Sequence, residues 1–299
     1  MSGSRPLGVC CGRIIGLLAA TAALVLLQAC SAVKLAYNNA SELAYWWIDS
    51  YADLNEQQSQ QLRAELAQLQ QWHRSAEMPR VAELLKKTRL LASADTSPEQ
   101  VCSLVAEARS RVDALIARAE PAATALAMGM AGAQIAHLET KLDKTTAEWR
   151  AEWTKPSPQE IRAKRLKTAV DRAEQFYGSL EERQVSLLRN AIAEQGFDPA
   201  RSLSERARRN QDLLQTLRLL SSTNPRPGAS QSAAALHAYI ERLSHSPNPV
   251  YHAHFEQLIQ DSCKTTALLH NSATAEQRAR AVRKLAAYES DARTLAATR

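Results

Sequence analysis

The sequence contains little glycine and few aromatic residues. Glycine occurs only 9 times in 299 residues, and phenylalanine, tryptophan and tyrosine together make up 5%. Few glycines leave few places where the backbone cradles a phosphate, and the chain has no phosphate loop, dinucleotide fingerprint or nucleophile elbow. We therefore expect no cofactor and no catalytic residue, and an envelope enzyme is only a minor alternative.

The histidines do not indicate a metal site. No two of the 7 histidines are three or four positions apart, the spacing that places two imidazoles side by side on a helix, and no HExxH sequence occurs. We therefore expect no metal ligands.

Helix-forming residues dominate the composition. Alanine, leucine, arginine, glutamate and glutamine are abundant, and β-branched residues are sparse. The clearest apolar stripe with helical period runs from Val101 to Ala119. Pro121, which has no backbone N–H, is expected to break or restart that helix. We predict an all-α fold, an elongated array or bundle of about ten helices.

The first 30 residues have the character of an export signal. Residues 1–13 carry Arg5 and Arg13 and no acid, and residues 14–27 form an apolar run that is too short to span a membrane comfortably. The run ends in Leu27-Gln28-Ala29-Cys30, which resembles the lipobox of bacterial lipoproteins. We predict that residues 1–29 are a lipoprotein signal peptide, that cleavage falls between Ala29 and Cys30, and that Cys30 is lipidated. The alternative is an uncleaved anchor with an incidental cysteine.

The predicted lipid places the mature chain at a membrane. Acyl chains on Cys30, palmitate among them, would anchor it firmly. Ser31 stands where lipoproteins of the inner membrane usually carry aspartate, so we expect the outer membrane, with the protein facing the periplasm. The formal charge of +6 falls to about +4 once Arg5 and Arg13 are removed, and such a mild excess gives no reason to expect a nucleic-acid partner.

The mature chain divides by composition into two parts. Residues 30–54 form an aromatic juxtamembrane helix, and residues 55–299 form a helical periplasmic domain with possible sub-boundaries near 154–158 and 221–232. The aromatic residues allow two interpretations. They form a collar at the membrane interface, where tryptophan and tyrosine are favoured, or Leu43, Trp47 and Tyr51 pack into the core at helical spacing.

Two cysteines remain after processing. Cys10 and Cys11 are lost with the signal peptide, and Cys30 is used by the lipid, which leaves Cys102 and Cys263. An even pair in an oxidising compartment indicates a possible disulfide. Two buried free thiols are the alternative, and the sequence does not decide between them.

The most distinctive local cluster is Trp72-His73-Arg74, at the end of one predicted helix. An arginine at such a position is suited to a carboxylate or a phosphate, so these three residues are a candidate ligand corner. The alternative is a structural joint between two helices, with the tryptophan packed.

A short helix-start signature recurs. Asn55 to Gln58, Ser97 to Gln100 and Thr274 to Gln277 each place a capping residue three positions before glutamine, as in a capping box, and Leu180 to Gln184 is a looser relative. These are good helix starts. Their unequal separations do not indicate a regular solenoid.

Several stretches together resemble one family of uncharacterised bacterial lipoproteins, domain-of-unknown-function family 6279. The resemblance covers most of the mature chain and implies an exported helical lipoprotein without a known activity. It is carried by Cys30 with Val33 to Asn39, by Trp46-Trp47, by Tyr51 to Leu54 with Gln57 or Gln58, by Trp72 to Arg74 with Leu84-Leu85, by Tyr177 to Leu180 with Gln184, and by Glu276 to Arg278 with Leu285 and Tyr288.

We expect a binding or scaffold protein whose partner is another envelope protein. The main alternative is a periplasmic chaperone that holds unfolded clients on an apolar concave face. The starts Ser97-Pro98-Glu99-Gln100 and Thr274-Ala275-Glu276-Gln277 are similar to those of helical chaperones and stress sensors of the Spy/CpxP type. The sequence gives no indication of the oligomeric state.

Overall fold

The computed structural model of the chain describes residues 33–222 and 225–298, apart from the side chain at position 222. The predicted signal peptide, with Ala29 and Cys30, lies outside the described residues. Within them all regular structure is helical and no strand occurs, which confirms the all-α prediction.

A short helical stretch over residues 33–38 precedes the long helices. The long helices are α1 (Ala40–Ala52), α2 (Glu56–Trp72), α3 (Met78–Leu91), α4 (Pro98–Gly129), α5 (Gly132–Trp153), α6 (Pro158–Tyr177), α7 (Glu182–Glu194), α8 (Pro199–Ser222), α9 (Ala229–Ser244), α10 (Pro249–Asn271) and α11 (Ala275–Ala297), with a π-helix (His73–Glu77) between α2 and α3.

The helix starts are capped as the sequence signature predicts. Asn55 Oδ1 accepts a hydrogen bond from the amide of Gln58 at 2.9 Å, and Gln58 Oε1 accepts one from the amide of Asn55 at 3.1 Å. Ser97 and Thr274 make the same reciprocal box with the glutamine three positions on. Each box satisfies two backbone donors that have no partner inside the helix.

Helix α4 runs through Pro121, so the predicted break there is wrong. The proline removes one helical hydrogen bond, but it lies exposed between residues with high helix propensity. Both halves of the helix are also held by packing, the first against α10 and the second through Ala127 in the main core. The helix ends instead at Gly129.

The helices pack around three apolar clusters. The largest joins α1, α4, α5, α8 and α9 and includes Leu138, Leu217 and Leu220. A second lies between α3 and α11, and a third joins α6, α7 and α10 around Leu188 and Leu269. The last helix, α11, therefore packs against the third one, α3.

The predicted sub-boundaries coincide with ends of helices. Helix α5 ends at Trp153 and α6 begins at Pro158, while α8 ends at Ser222 and α9 begins at Ala229. Helices from either side of each break pack on one another, since α8 lies on α5 and α9 lies on α4.

A buried pair of glutamines joins the starts of α7 and α11. The amide nitrogen of Gln184 donates to Gln277 Oε1 at 2.8 Å, and that of Gln277 donates back to Gln184 Oε1 at 3.0 Å. Each amide nitrogen also donates to a backbone carbonyl, Gln184 to Ser272 and Gln277 to Ser179. The pair fixes two helix starts against each other.

The same arrangement occurs at the starts of α2 and α5. Gln58 and Gln134 exchange amide hydrogen bonds, and they donate to the carbonyls of Gly129 and Asp53. Residues 51–58 and 177–184 share the pattern Tyr-x-x-Leu-x-Glu-x-Gln. In both joints the second glutamine bonds to the residue two positions after that tyrosine, so one helix joint is built twice in this chain.

Candidate ligand-binding cavity

A large apolar cavity, partly open to solvent, lies among α3, α4, α6, α7, α10 and α11, and Trp153 at the end of α5 adds to its wall. Its volume is about 850 Å³, within the range of small-molecule sites. Most of its wall is aliphatic or aromatic. The larger apolar residues of the wall are Leu91, Val101, Leu104, Val105, Trp153, Phe176, Leu188, Ile192, Leu269 and Leu285.

Small side chains on facing helices leave room for the cavity. Ala169 and Ala173 lie one turn apart on α6, and α7 and α11 contribute Ala191 and Ala281. Protein interiors otherwise contain few voids larger than a water molecule. The small side chains of these alanines leave more space between the helices than leucine would.

One wall carries a tyrosine and a histidine in a closed hydrogen-bond network. His270 is buried, and its Nε2 lies 2.9 Å from the carbonyl oxygen of Ala94. Because a carbonyl only accepts, Nε2 carries the proton, and Nδ1 accepts from the hydroxyl of Tyr177 at 2.9 Å. Burial lowers the pKa of His270 and raises the pKa of Tyr177. Both groups are therefore neutral.

The charged groups of the wall are both arginines. Arg165 and Arg172 line the cavity from α6, and no aspartate or glutamate lines it. Arg165 is half-buried. Its guanidinium donates to Gln195 Oε1 and lies 4.7 Å from the ring centre of Phe197. Burial lowers the pKa of Arg165, although an arginine stays protonated in proteins.

An aromatic cluster stands beside Arg165. Trp153, which lines the cavity, packs edge-on against Phe197 with ring centres 5.7 Å apart, and it stacks on Trp149. Lys164 Nζ lies 4.6 Å from the Trp153 ring centre. Cations and aromatic rings therefore meet at this part of the wall.

Cys102 and Cys263 are joined by a disulfide in the structure, with their Cα atoms 5.5 Å apart. The bond links α4 to α10, and its neighbours Val101 and Ser262 line the cavity. It therefore fixes two walls relative to each other.

The candidate corner Trp72-His73-Arg74 holds the N-terminal stretch in place. His73 Nδ1 lies 3.0 Å from the hydroxyl of Tyr37, and Arg74 donates to the side chain of Asn38 at 2.9 Å. Arg74 also lies over the Tyr37 ring, and burial lowers the pKa of His73. These contacts join the segment before α1 to the π-helix after α2. A ligand at this corner stays a prediction.

The aromatic face of α1 points to solvent. Leu43 and Trp47 are 58% and 65% exposed, so the interpretation that both pack into the core is wrong. Trp46 is 59% exposed as well, while Tyr51 packs against the main cluster. The helix turns its tyrosines inward and its tryptophans outward. None of the helices in the described part is both long enough and apolar enough to cross a membrane.

The sequence did not indicate the cavity. Its wall comes from helices spread between Thr88 and Leu285, and no local motif marks the residues that meet there. Alanines on an apolar stripe have the same pattern whether they border a space or a close contact. Among the described residues, no group of three or more histidine, cysteine, aspartate or glutamate side chains has a metal-binding arrangement.

Fold and cavity together define an all-helical protein with a ligand-sized apolar space. A family model matches residues 50–227, and its description is "Family of unknown function (DUF6279)". The chain belongs to this family, as the resemblance in its sequence predicted. Searches of curated proteins and of solved structures give no match. The matched range contains both Tyr-x-x-Leu-x-Glu-x-Gln segments and the α6 and α7 walls of the cavity.

Proposed function

We propose that this protein is a lipid-anchored binding protein of the bacterial envelope, and that it holds an amphiphilic molecule in the cavity. The observation that carries the proposal is the apolar cavity of about 850 Å³. Small-molecule sites are typically apolar clefts or cavities of this volume, whereas packed interiors contain few voids larger than a water molecule. The sequence alone favoured a protein partner, whereas an apolar cavity of this volume, lined from several helices, favours a small molecule.

The wall supports binding rather than catalysis. Its titratable pair, Tyr177 and His270, is satisfied by internal hydrogen bonds, and the remaining polar groups are threonines, a serine, a glutamine and the two arginines. A general base must lie within hydrogen-bond reach of the proton that it removes from the substrate. Here both nitrogens are in use, so we assign the pair a structural role.

Two observations support attachment to a membrane. The lipobox sequence ends at Cys30, and helix α1 begins soon after it, at Ala40. The exposed side chains of Leu43, Trp46 and Trp47 then follow within the next turns of helix. Tryptophan is favoured at the boundary between lipid and water. A helix with this face suits a position directly behind a lipid anchor, with the protein facing the periplasm.

The anchor is tested by blocking its attachment. We expect Cys30→Ala to accumulate as a precursor that keeps residues 1–29, because only a thiol accepts the diacylglycerol that precedes cleavage. The measurement is gel migration and intact mass of the full chain from cells. Cys11→Ala is the matched control, since it also removes a cysteine from the leader and should be processed normally. Equal masses for wild type and Cys30→Ala, after allowance for the substitution, would contradict the anchor.

The cavity is tested by filling it. Ala191→Phe places a ring in the cavity and should weaken binding of the uncharged fluorophore N-phenyl-1-naphthylamine about tenfold or more, because the ring takes up volume that the probe needs. Ala193→Phe is the matched control on the same helix, because Ala193 is exposed and does not line the cavity. The measurement is a fluorescence titration of the full chain. Equal affinities in the two variants would place the probe elsewhere.

A further inference from the structure

We propose that the molecule held in the cavity carries a negatively charged head, and that Arg165 and Arg172 bind this head. The inference rests on the proposed function and adds the chemical class of the ligand. Its starting point is the one-sided charge of the wall, which has two guanidinium groups and no carboxylate. The buried imidazole of His270 is neutral and does not change this balance.

Arg165 is the first element of the argument. Its described contacts are the amide oxygen of Gln195 and the ring of Phe197, and neither carries a charge. Several other half-buried arginines of the chain have carboxylate partners, although the described side-chain partners of Arg74 and Arg206 are uncharged. Arg208 pairs with Glu205 and Asp212, and Arg89 pairs with Glu289. The positive charge of Arg165 therefore has no counter-charge among its described contacts, and an anionic ligand would supply one.

Arg172 is the second element. It follows Arg165 by seven residues on α6, which places both on one helix face about 10 Å apart. Arg172 lines the same cavity but is exposed to solvent, and it has no ion pair within the described part of the chain. Each guanidinium offers parallel N–H groups that match the two oxygens of a carboxylate or a phosphate. Two such groups next to an apolar wall fit an acyl chain with an acidic head.

The charge requirement is tested with two probes that differ only at the head. The probes are cis-parinaric acid and its methyl ester. Both are titrated at alkaline pH into the full chain, in the same concentration of a non-ionic detergent. We expect the acid to bind about tenfold more tightly than the ester, the gain typical of one charge-assisted pair. In the Arg165→Gln/Arg172→Gln variant the ratio of the two Kd values should fall to about one. Arg162→Gln, on the exposed side of α6, should keep the wild-type ratio.

Binding of the ester distinguishes a failure of the acidic head group from a failure of the apolar binding site. Retained ester binding by the double variant shows that its cavity is folded, and the loss of the acid's advantage then belongs to the arginines. Equal binding of acid and ester by wild type, or an unchanged ratio in the double variant, overturns the inference while leaving the apolar site in place. Failure of the ester to bind wild type overturns the proposed function itself.

Two competitors identify the head. Dodecyl phosphate displacing the acid more strongly than dodecanoate supports a phosphate head, and the reverse order supports a carboxylate head. Inorganic phosphate should not displace the acid, because it has no apolar chain to fill the cavity. Displacement by inorganic phosphate at comparable concentration would show a site for free anions and overturn the amphiphile.

Discussion

Removing the disulfide should lower the free energy of unfolding by about 4–5 kcal/mol. Cys102 and Cys263 are 161 residues apart in sequence, so the bond closes a very long loop in the unfolded chain. Without the bond, the unfolded chain gains conformational entropy that the folded chain does not gain. The change is Cys102→Ala/Cys263→Ala, since alanine avoids placing a hydroxyl at the buried Cys263 position. The measurement is a urea unfolding curve.

A reductant supplies the control for this variant. Dithiothreitol should lower the unfolding midpoint of wild type to that of the double alanine variant, and it should leave the variant unchanged. Because the bond links two walls of the cavity, the affinity for N-phenyl-1-naphthylamine should fall in both cases. A wild-type midpoint that does not respond to reductant would contradict a bond between these cysteines.

Local sequence signals predicted the helices because helices depend on nearby residues. The capping signature places the starts of α2, α4 and α11 at Asn55, Ser97 and Thr274, where the structure has them. Pro121 shows the limit of local reasoning. Its missing hydrogen bond is a cost at one position, whereas packing along both halves of α4 favours continuation. The lost hydrogen bond at Pro121 can be predicted from the sequence. The packing along α4 is known only once the fold is known.

Long-range arrangements were less predictable. The recurrence of Tyr-x-x-Leu-x-Glu-x-Gln at 51–58 and 177–184 was a usable signal for the two glutamine joints, but the capping box alone already explained the glutamines. The partners Gln134 and Gln277 lie 76 and 93 positions further along the chain. The sequence indicated the cavity even less, because Ala173 and Arg165 line it only through the way other helices pack against α6. Predicting either feature requires the tertiary contacts.

The glutamine joint at α7 and α11 makes the second large prediction. Gln184 is 1% exposed, and both its N–H groups and both acceptor positions of its oxygen are used, by Gln277, Ser272 and the amide of Glu181. Gln184→Ala leaves the Gln277 amide and the Ser272 carbonyl short of partners inside the protein. An unsatisfied buried group costs about 1–3 kcal/mol, so we expect a total loss of about 2–4 kcal/mol in the free energy of unfolding.

Gln100→Ala is the matched control for this substitution. Gln100 occupies the same third position of a capping box, but it is exposed and has no glutamine partner. Its loss should cost about 1 kcal/mol or less, the value of part of a cap. A double-mutant cycle with Gln184→Ala and Gln277→Ala should give a coupling energy of about 1–3 kcal/mol, because the second substitution removes a group that the first had already left unpaired. Additive losses, or a Gln184→Ala variant as stable as Gln100→Ala, would mean that the pair does no more than begin two helices.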